Sequence, residues 1–180
     1  MFNTVDRFGL VSIMLHWSMA IIVIGSFGLG WYMVDLTYYD SLYNTLPFFH
    51  KSIGIVFGLL LIFRLVWKLI NVRPTFEDSL SRLERLAAKS AHFAFYCLMA
   101  LIVLSGYLIS TADNSSISVF DIFKVPATIT SIPEQEDIAG LVHEYLGYSI
   151  IGLTVLHASA ALKHHFIDQD NSLRKLLGIR

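Results

Sequence analysis

Seven histidines punctuate the chain, at positions 16, 50, 92, 143, 157, 164 and 165. His143 and His157 stand in one mostly apolar stretch, HEYLGYSIIGLTVLHASAALKHH. On a helix their spacing leaves them about 40° apart on one face and about 21 Å apart along the axis. His164 follows one heptad later on nearly the same stripe. Neutral imidazole is a metal ligand, and near neutral pH it is also an acid or a base. One helix therefore offers imidazoles at two depths. It can grip two flat metal-bearing groups stacked along its length, provided that other helices bring partners to the same two levels.

The elements that must supply those partners are long and apolar. The 180 residues are 55% hydrophobic and 15% charged, with a mean hydropathy of +0.62. Four stretches, 13–34, 48–70, 91–111 and 143–166, each give about 20 mostly apolar positions, enough to cross a hydrocarbon core about 30 Å thick. The expected fold is all-α, an integral membrane four-helix bundle forming a single domain over residues 1–180. The first stretch does not read as a signal peptide: it is too long, carries His16 near its start and lacks an A-x-A site. Cys97 is the single cysteine and excludes an internal disulfide. The fold must then be held by helix packing and by whatever binds between the helices.

Lys and Arg set the expected orientation. With four spans, both termini share a side with the second connection. That side holds eleven of the 13 basic residues, and the other side holds only Lys51 and Lys124. The termini are therefore expected in the cytoplasm and the bundle in a bacterial inner membrane. The outer side carries Asp35, Asp40, Asp113, Asp121, Glu134, Glu136, Asp137 and Glu144. Two cations against eight acids leave that face at −6, a polarity hidden by the chain's overall charge of −1.

Depth sorts the histidines. His50 opens the second span and His143 the fourth, both on the outer side. His16 lies near the inner end of the first span, and His157 sits about 21 Å inward from His143. Two level pairs result, His50 with His143 and His16 with His157. A six-coordinate haem iron takes two imidazoles, one on each face, so the pairs predict two haem b groups with these four residues as axial ligands of the iron. No C-x-x-C-H is present, which excludes covalent attachment. A lone histidine at a helix end is ordinarily a packing residue, but four histidines forming two level pairs, two of them on one helical face, are not explained that way. Zinc or copper transport would call for further acids or histidines in mid-membrane, and none occur.

The HW at His16, the run HKSIGIVFGLLLIFRLVWKL from His50, AHFAFY around His92 and the stretch from His143 to Phe166 resemble the bacterial cytochrome b561 family. The similarity covers nearly the whole chain. It implies a four-helix inner-membrane dihaem cytochrome with the same two ligand pairs. Its superoxide-oxidising type takes electrons from periplasmic superoxide and delivers them to ubiquinone. The resemblance also implies a quinone head group beside His164, because the family's paired histidines fall there. His164 is about 10 Å inward of His157 on the same stripe, placed to donate a hydrogen bond or a proton to a reduced quinone oxygen.

Other residues take supporting roles. Arg64 is deep for a charge and is expected to pair with a haem propionate, or else to extend toward the inner interface. His92 is level with the inner pair, where both axial places are filled, and reads as a residue beside the ligands. Gly54, Gly58, Gly147 and Gly152 are packing residues that could also clear room for porphyrin faces. The mixed-charge segment 75–89 reads as an interfacial helix, with Arg73-Pro74 ending the second span. The connection 113–140 reads as a long acidic outer loop.

Two functions follow. The first is a superoxide:ubiquinone oxidoreductase, with Lys51 beside His50 as the cation that meets superoxide and His164 serving the quinone. The second is an electron conduit, a cytochrome b that accepts electrons from a periplasmic redox protein such as a cytochrome c or serves a larger quinone-linked complex. The superoxide-oxidising type has arginine in the first outer loop, whereas here that loop holds Asp35, Asp40 and no arginine, and Val142 precedes His143-Glu144. An anionic substrate gains from a positive funnel, and an acidic face suits a basic protein partner. The expected partners are the lipid bilayer, a quinone, and superoxide or a donor protein; nucleic acid is not among them.

Overall fold

Backbone amides in a lipid core have no water to bond to, so each apolar run must close its hydrogen bonds within itself. In the computed structural model, which describes residues 2–72, 74–75 and 80–179, each does so as a helix. The four are α1 (Leu10–Val34), α2 (Thr45–Ile70), α3 (Arg82–Thr111) and α4 (Gln135–Phe166), followed by a short α5 (Ser172–Leu177). All four long helices have the length and apolarity to cross a membrane. Contacts run α1–α2, α2–α3, α3–α4 and α4–α1, closing an up-and-down bundle. Both termini lie at one end, the terminal end, and the α1–α2 and α3–α4 connections lie at the other, the far end.

The centre of the bundle is small. Met19, Phe57, Leu61, Met99 and Ile150 form its buried cluster, flanked by residues such as Val23, Ile102 and Val103. The outward faces display Ile21, Leu59, Ile62, Leu101 and Leu156. In water that much exposed apolar surface would drive association, whereas in a bilayer it is the lipid-facing side of the bundle. Gly58 lets α3 approach α2 closely, since a Cβ there would lie 3.0 Å from Val103 Cγ1.

The helices extend beyond the apolar stretches. Ser81 caps α3: its hydroxyl accepts from the Glu84 amide at 3.2 Å, and the Glu84 carboxylate accepts from the Ser81 amide at 2.9 Å. This reciprocal box satisfies two otherwise unpaired amides and starts the helix there. From Arg82 onward, the segment expected to form a separate interfacial helix is instead the opening turns of α3. Residues 76–79 of that segment, and Arg73, lie outside the described residues. The second span breaks at Asn71, whose backbone turns extended ahead of Pro74.

The far-end connection is built rather than loose. An antiparallel hairpin, β1 (Ile117–Val119) and β2 (Phe123–Val125), packs β1 on α2. Phe120 and Asp121 turn it with φ of 49° and 58°, closed by the Ile122 amide on the Val119 carbonyl at 2.9 Å. The Gln135 amide nitrogen donates to Leu108 O and Ile129 O, each at 2.9 Å, which fixes the return into α4. At the terminal end, Asn3 accepts from Gly9 N and Ser12 Oγ while donating to Val72 O. The chain's start is thereby pinned to the end of α2. Trp17 Nε1 donates to Leu176 O, which docks α5 against α1.

Candidate functional site

The two levels expected of the histidines are present in three dimensions. At the far end His50 on α2 faces His143 on α4, ring centres 6.1 Å apart and planes at 75°. At the terminal end His16 on α1 faces His157 on α4 at 6.4 Å and 54°. Two metal–nitrogen bonds of about 2 Å, plus about 1.1 Å from each nitrogen to its ring centre, separate axial imidazoles by about 6.2 Å. Both pairs fit an iron gripped from two sides. His92 on α3 also reaches His157, but at 5.5 Å it is too close to share an iron with it. It stands beside the pair, with Phe95 at 5.4 Å from the same ring.

Neighbouring helices hold the far-end rings in place. Gly30 on α1 lies against His50, where a Cβ would be 3.4 Å from Cε1, and Gly106 on α3 lies against His143 at 3.1 Å. Each imidazole edge thus rests on a glycine of the preceding helix. Ser105 adds a polar anchor. Its hydroxyl donates to the Ile102 carbonyl at 3.0 Å, so its oxygen accepts from Nδ1–H of His143 at 2.9 Å. That leaves Nε2 of His143 free to bind a metal. Nδ1 of His50 is buried with no hydrogen-bond partner among the described residues.

The terminal-end pair has a cation beside it. Arg64 Nε donates to Tyr96 Oη at 3.3 Å and Nη1 to Met19 Sδ at 3.8 Å. Among the described residues no carboxylate lies within salt-bridge distance of Arg64, although it is within electrostatic range of His16 and His92. A half-buried guanidinium held by neutral partners matches the needs of a haem propionate. Gly25, Gly28, Gly54 and Gly152 face open space, which leaves room for a flat group, whereas Gly58 and Gly147 are filled by Val103 and Phe27. The donor set, its spacing and the open glycines fit haem b.

His164 sits about two turns beyond this level, in a charge network the sequence did not reveal. Nδ1 of His164 and Nζ of Lys163 both contact Asp168 Oδ2 at 2.6 Å, and Lys163 reaches across to Glu84 Oε1 on α3 at 3.1 Å. Ligand atoms of Glu84, His164 and Asp168 lie within 4.8 Å of one another, but the Lys163 ammonium already stands between the carboxylates as their counter-charge. The serine–glutamate spacing of the α3 cap was the one signal in the sequence that could have located Glu84. The partners of Asp168 are local, Lys163 and His164 at the end of α4, the latter four residues upstream; the reach of Lys163 to Glu84 on α3 is what the sequence did not show.

Lys51 is exposed at the far end, within electrostatic range of Asp113. The Ser115 hydroxyl and amide hold the Asp113 carboxyl below its ordinary value, with Lys51 contributing least. Asp40 is held low by the Thr37 amide and hydroxyl. These acids stay ionised, and the far face stays negative around its two lysines.

Residues 7–178 match the family described as prokaryotic cytochrome b561. The chain is 48% identical over 176 residues to "Cytochrome b561 homolog 2" of Escherichia coli (strain K12), covering 98% of this chain and 94% of that one. "Cytochrome b561 homolog 1" of the same organism is 26% identical over 179 residues, covering 96% and 97%. "Probable superoxide oxidase CybB" of Yersinia pestis is 25% identical over 179 residues, covering 95% and 96%.

Proposed function

The chain belongs to the prokaryotic cytochrome b561 family of haem-binding membrane electron-transfer proteins, and from that premise we propose that it carries electrons across the bacterial inner membrane to ubiquinone through two haem b groups. In this reading the termini are cytoplasmic, superoxide is the donor on the far side, and His16, His157, His50 and His143 would hold the haem irons. The observation that carries it is the presence of two histidine pairs, 6.1 and 6.4 Å between ring centres, at two depths of one bundle.

Haem b held in each pair supplies a one-electron iron couple. The protein's own part is to hold and to exclude. The paired imidazoles would hold each group for electron passage rather than for oxygen binding. Met19, Phe57, Leu61 and Met99 keep water out of the interval between the levels. Arg64 neutralises a propionate. At the far face Lys51 meets the superoxide anion, each of which gives up one electron and leaves as dioxygen. At the terminal face two electrons and two protons convert ubiquinone to ubiquinol, with His164 donating to the quinone oxygen.

The Yersinia pestis relative named as a superoxide oxidase supports this donor. The far face supports a second one: eight exposed acids surround Lys51 and Lys124, a surface that attracts a basic donor protein such as a cytochrome c. One experiment separates them. Purified haem-loaded protein is mixed with a superoxide pulse while the Soret band is followed at rising salt. Reduction well above the rate of spontaneous dismutation, slowed by salt, supports superoxide drawn to Lys51. Reduction no faster than dismutation, with rapid reduction by a reduced basic cytochrome, transfers the function to the conduit.

A further inference from the structure

His164 is the terminal-end group assigned to the quinone, and the structure shows what holds it. Its Nδ1 lies 2.6 Å from Asp168 Oδ2 and 3.9 Å from Asp170 Oδ2. Both carboxylates come from the five-residue link between α4 and α5. Asp170 is 7% exposed and is itself fixed, accepting from Ser172 N at 2.9 Å and from Ser172 Oγ at 3.1 Å, while its own amide donates to the His164 carbonyl at 3.0 Å. The link folds back over the end of α4 and presents oxygen to only one side of the imidazole.

Asp168 is pinned as well. The same Oδ2 takes the Lys163 ammonium at 2.6 Å, and Lys163 is held from α3 by Glu84 at 3.1 Å. Glu84 in turn is fixed by the α3 cap, where its Oε2 accepts from Ser81 N and Oγ. The charged groups around His164 are therefore Lys163 on α4, Asp168 and Asp170 on the link and Glu84 on α3, with Arg174 and Lys175 on α5 at the same end. The chain runs Ser81, Glu84, Lys163, Asp168, His164, and it ties the start of α3 to the end of α4.

A carboxylate at 2.6 Å requires a proton on Nδ1, because two acceptors do not approach that closely without one. The tautomer is then settled, and Nε2 becomes the nitrogen that exchanges protons with a ligand. We propose that Asp168 is a positioning residue for quinone reduction: by holding Nδ1–H of His164 it orients the ring, makes Nε2 the proton donor to the quinone oxygen, and compensates the imidazolium from which that proton leaves. The balance is simple. The imidazolium gives Nε2–H to one oxygen of the two-electron-reduced quinone and is left as the neutral Nδ1–H tautomer. A proton from water at the terminal face restores Nε2–H, a second proton from the same water protonates the other quinone oxygen to complete ubiquinol, and Asp168 stays ionised throughout. The proposal rests on the quinone reading of His164.

The test uses the full haem-loaded protein and the variants Asp168→Asn, Asp168→Glu and Lys163→Met, with ubiquinone-1 as probe. Asp168→Asn should lower the maximal rate at which quinone reoxidises the reduced protein by about tenfold, with KM little changed, and Asp168→Glu should restore most of it. Lys163→Met, which frees the carboxylate but leaves it charged, should lose less. A second measurement needs no quinone. In protein labelled with ¹⁵N-histidine, the resonances that vanish in His164→Gln should show a protonated Nδ1 in the native chain and a mixture of tautomers in Asp168→Asn. Asp168→Asn with native rate and native tautomer overturns the proposal. A native protein that ubiquinone-1 does not reoxidise refutes the quinone reading instead, and the tautomer measurement then decides the role of Asp168 separately.

Discussion

Ser105 Oγ lies 2.9 Å from Nδ1 of His143 while donating to the carbonyl of Ile102 at 3.0 Å. The hydroxyl has one proton and has given it away, so the histidine must donate. This fixes the ring by a hydrogen bond that His50, opposite it, does not make among the described residues. Ser105→Ala would remove this acceptor and leave Nδ1–H only the Ile102 carbonyl, at a cost of about 0.5–1.5 kcal/mol. An N–H that donates to oxygen also makes the imidazole a stronger ligand. Ser105→Ala should therefore raise the midpoint potential of the far-end haem and leave the other unmoved, as read by a redox titration of the α bands.

The four histidines proposed as haem ligands should fall into two groups. Alanine at His50 or His143 removes the far-end haem, and alanine at His16 or His157 removes the other, each halving the haem-to-protein ratio by pyridine haemochrome assay. His92→Ala should keep both, because its ring centre stands 5.5 Å from His157, short of the separation an iron demands. A loss of one haem in His92→Ala with retention in His16→Ala would reassign the terminal-end pair.

Gly106 and Gly30 make a graded pair of tests. A Cβ on Gly106 would lie 3.1 Å from His143 Cε1, tight enough to push the ring by a few tenths of an ångström; on Gly30 it would lie 3.4 Å from His50, ordinary contact. Gly106→Ala should lower far-end haem occupancy and broaden its spectrum. Gly30→Ala should be nearly silent. Equal effects would mean that the rings are not held by these contacts.

Ser52 is fully buried, and its hydroxyl both donates to Ser118 O at 3.3 Å and accepts from Phe120 N at 3.1 Å. Phe120 sits at φ 49°, a conformation that a bulky residue keeps only when its surroundings enforce it. Ser52→Ala strands the Phe120 amide and should loosen the hairpin by about 1–3 kcal/mol. Faster deuterium exchange confined to 117–125 is the expected outcome, with both haems retained.

The α4–α5 link carries its own pH signature. The Lys163 ammonium, with a smaller share from His164, holds the Asp168 carboxyl below its ordinary 3.8. A carboxyl lowered in the folded state stabilises it above the ordinary value and loses that contribution as pH falls through the depressed one. The protection of amides 167–172, relative to their intrinsic exchange rates, should therefore hold while Asp168 stays ionised and fall only in acid below its ordinary value.

The depth of each histidine was legible in the sequence because a helix has a fixed rise per residue. Once the apolar runs marked His50 and His143 as openings of spans, their level followed, and so did that of His16 and His157. Helix starts were less legible. Ser81 and Glu84 begin α3 within a charged segment that hydropathy alone assigns to the surface.

Lateral contacts belong to another class. That Gly106 rather than a larger residue faces His143, that Arg64 meets Tyr96 and Met19, and that Lys163 bridges Glu84 to Asp168 across two helices depend on how each helix is rotated and how far apart the axes stand. Rotation and spacing emerge from the packing of all four helices at once, with Val103 against Gly58 as one term among many. A repeat along one strand of sequence carries axial position and little else. The partner of each paired histidine had to be inferred from level, and only the folded bundle supplied the neighbours that hold it.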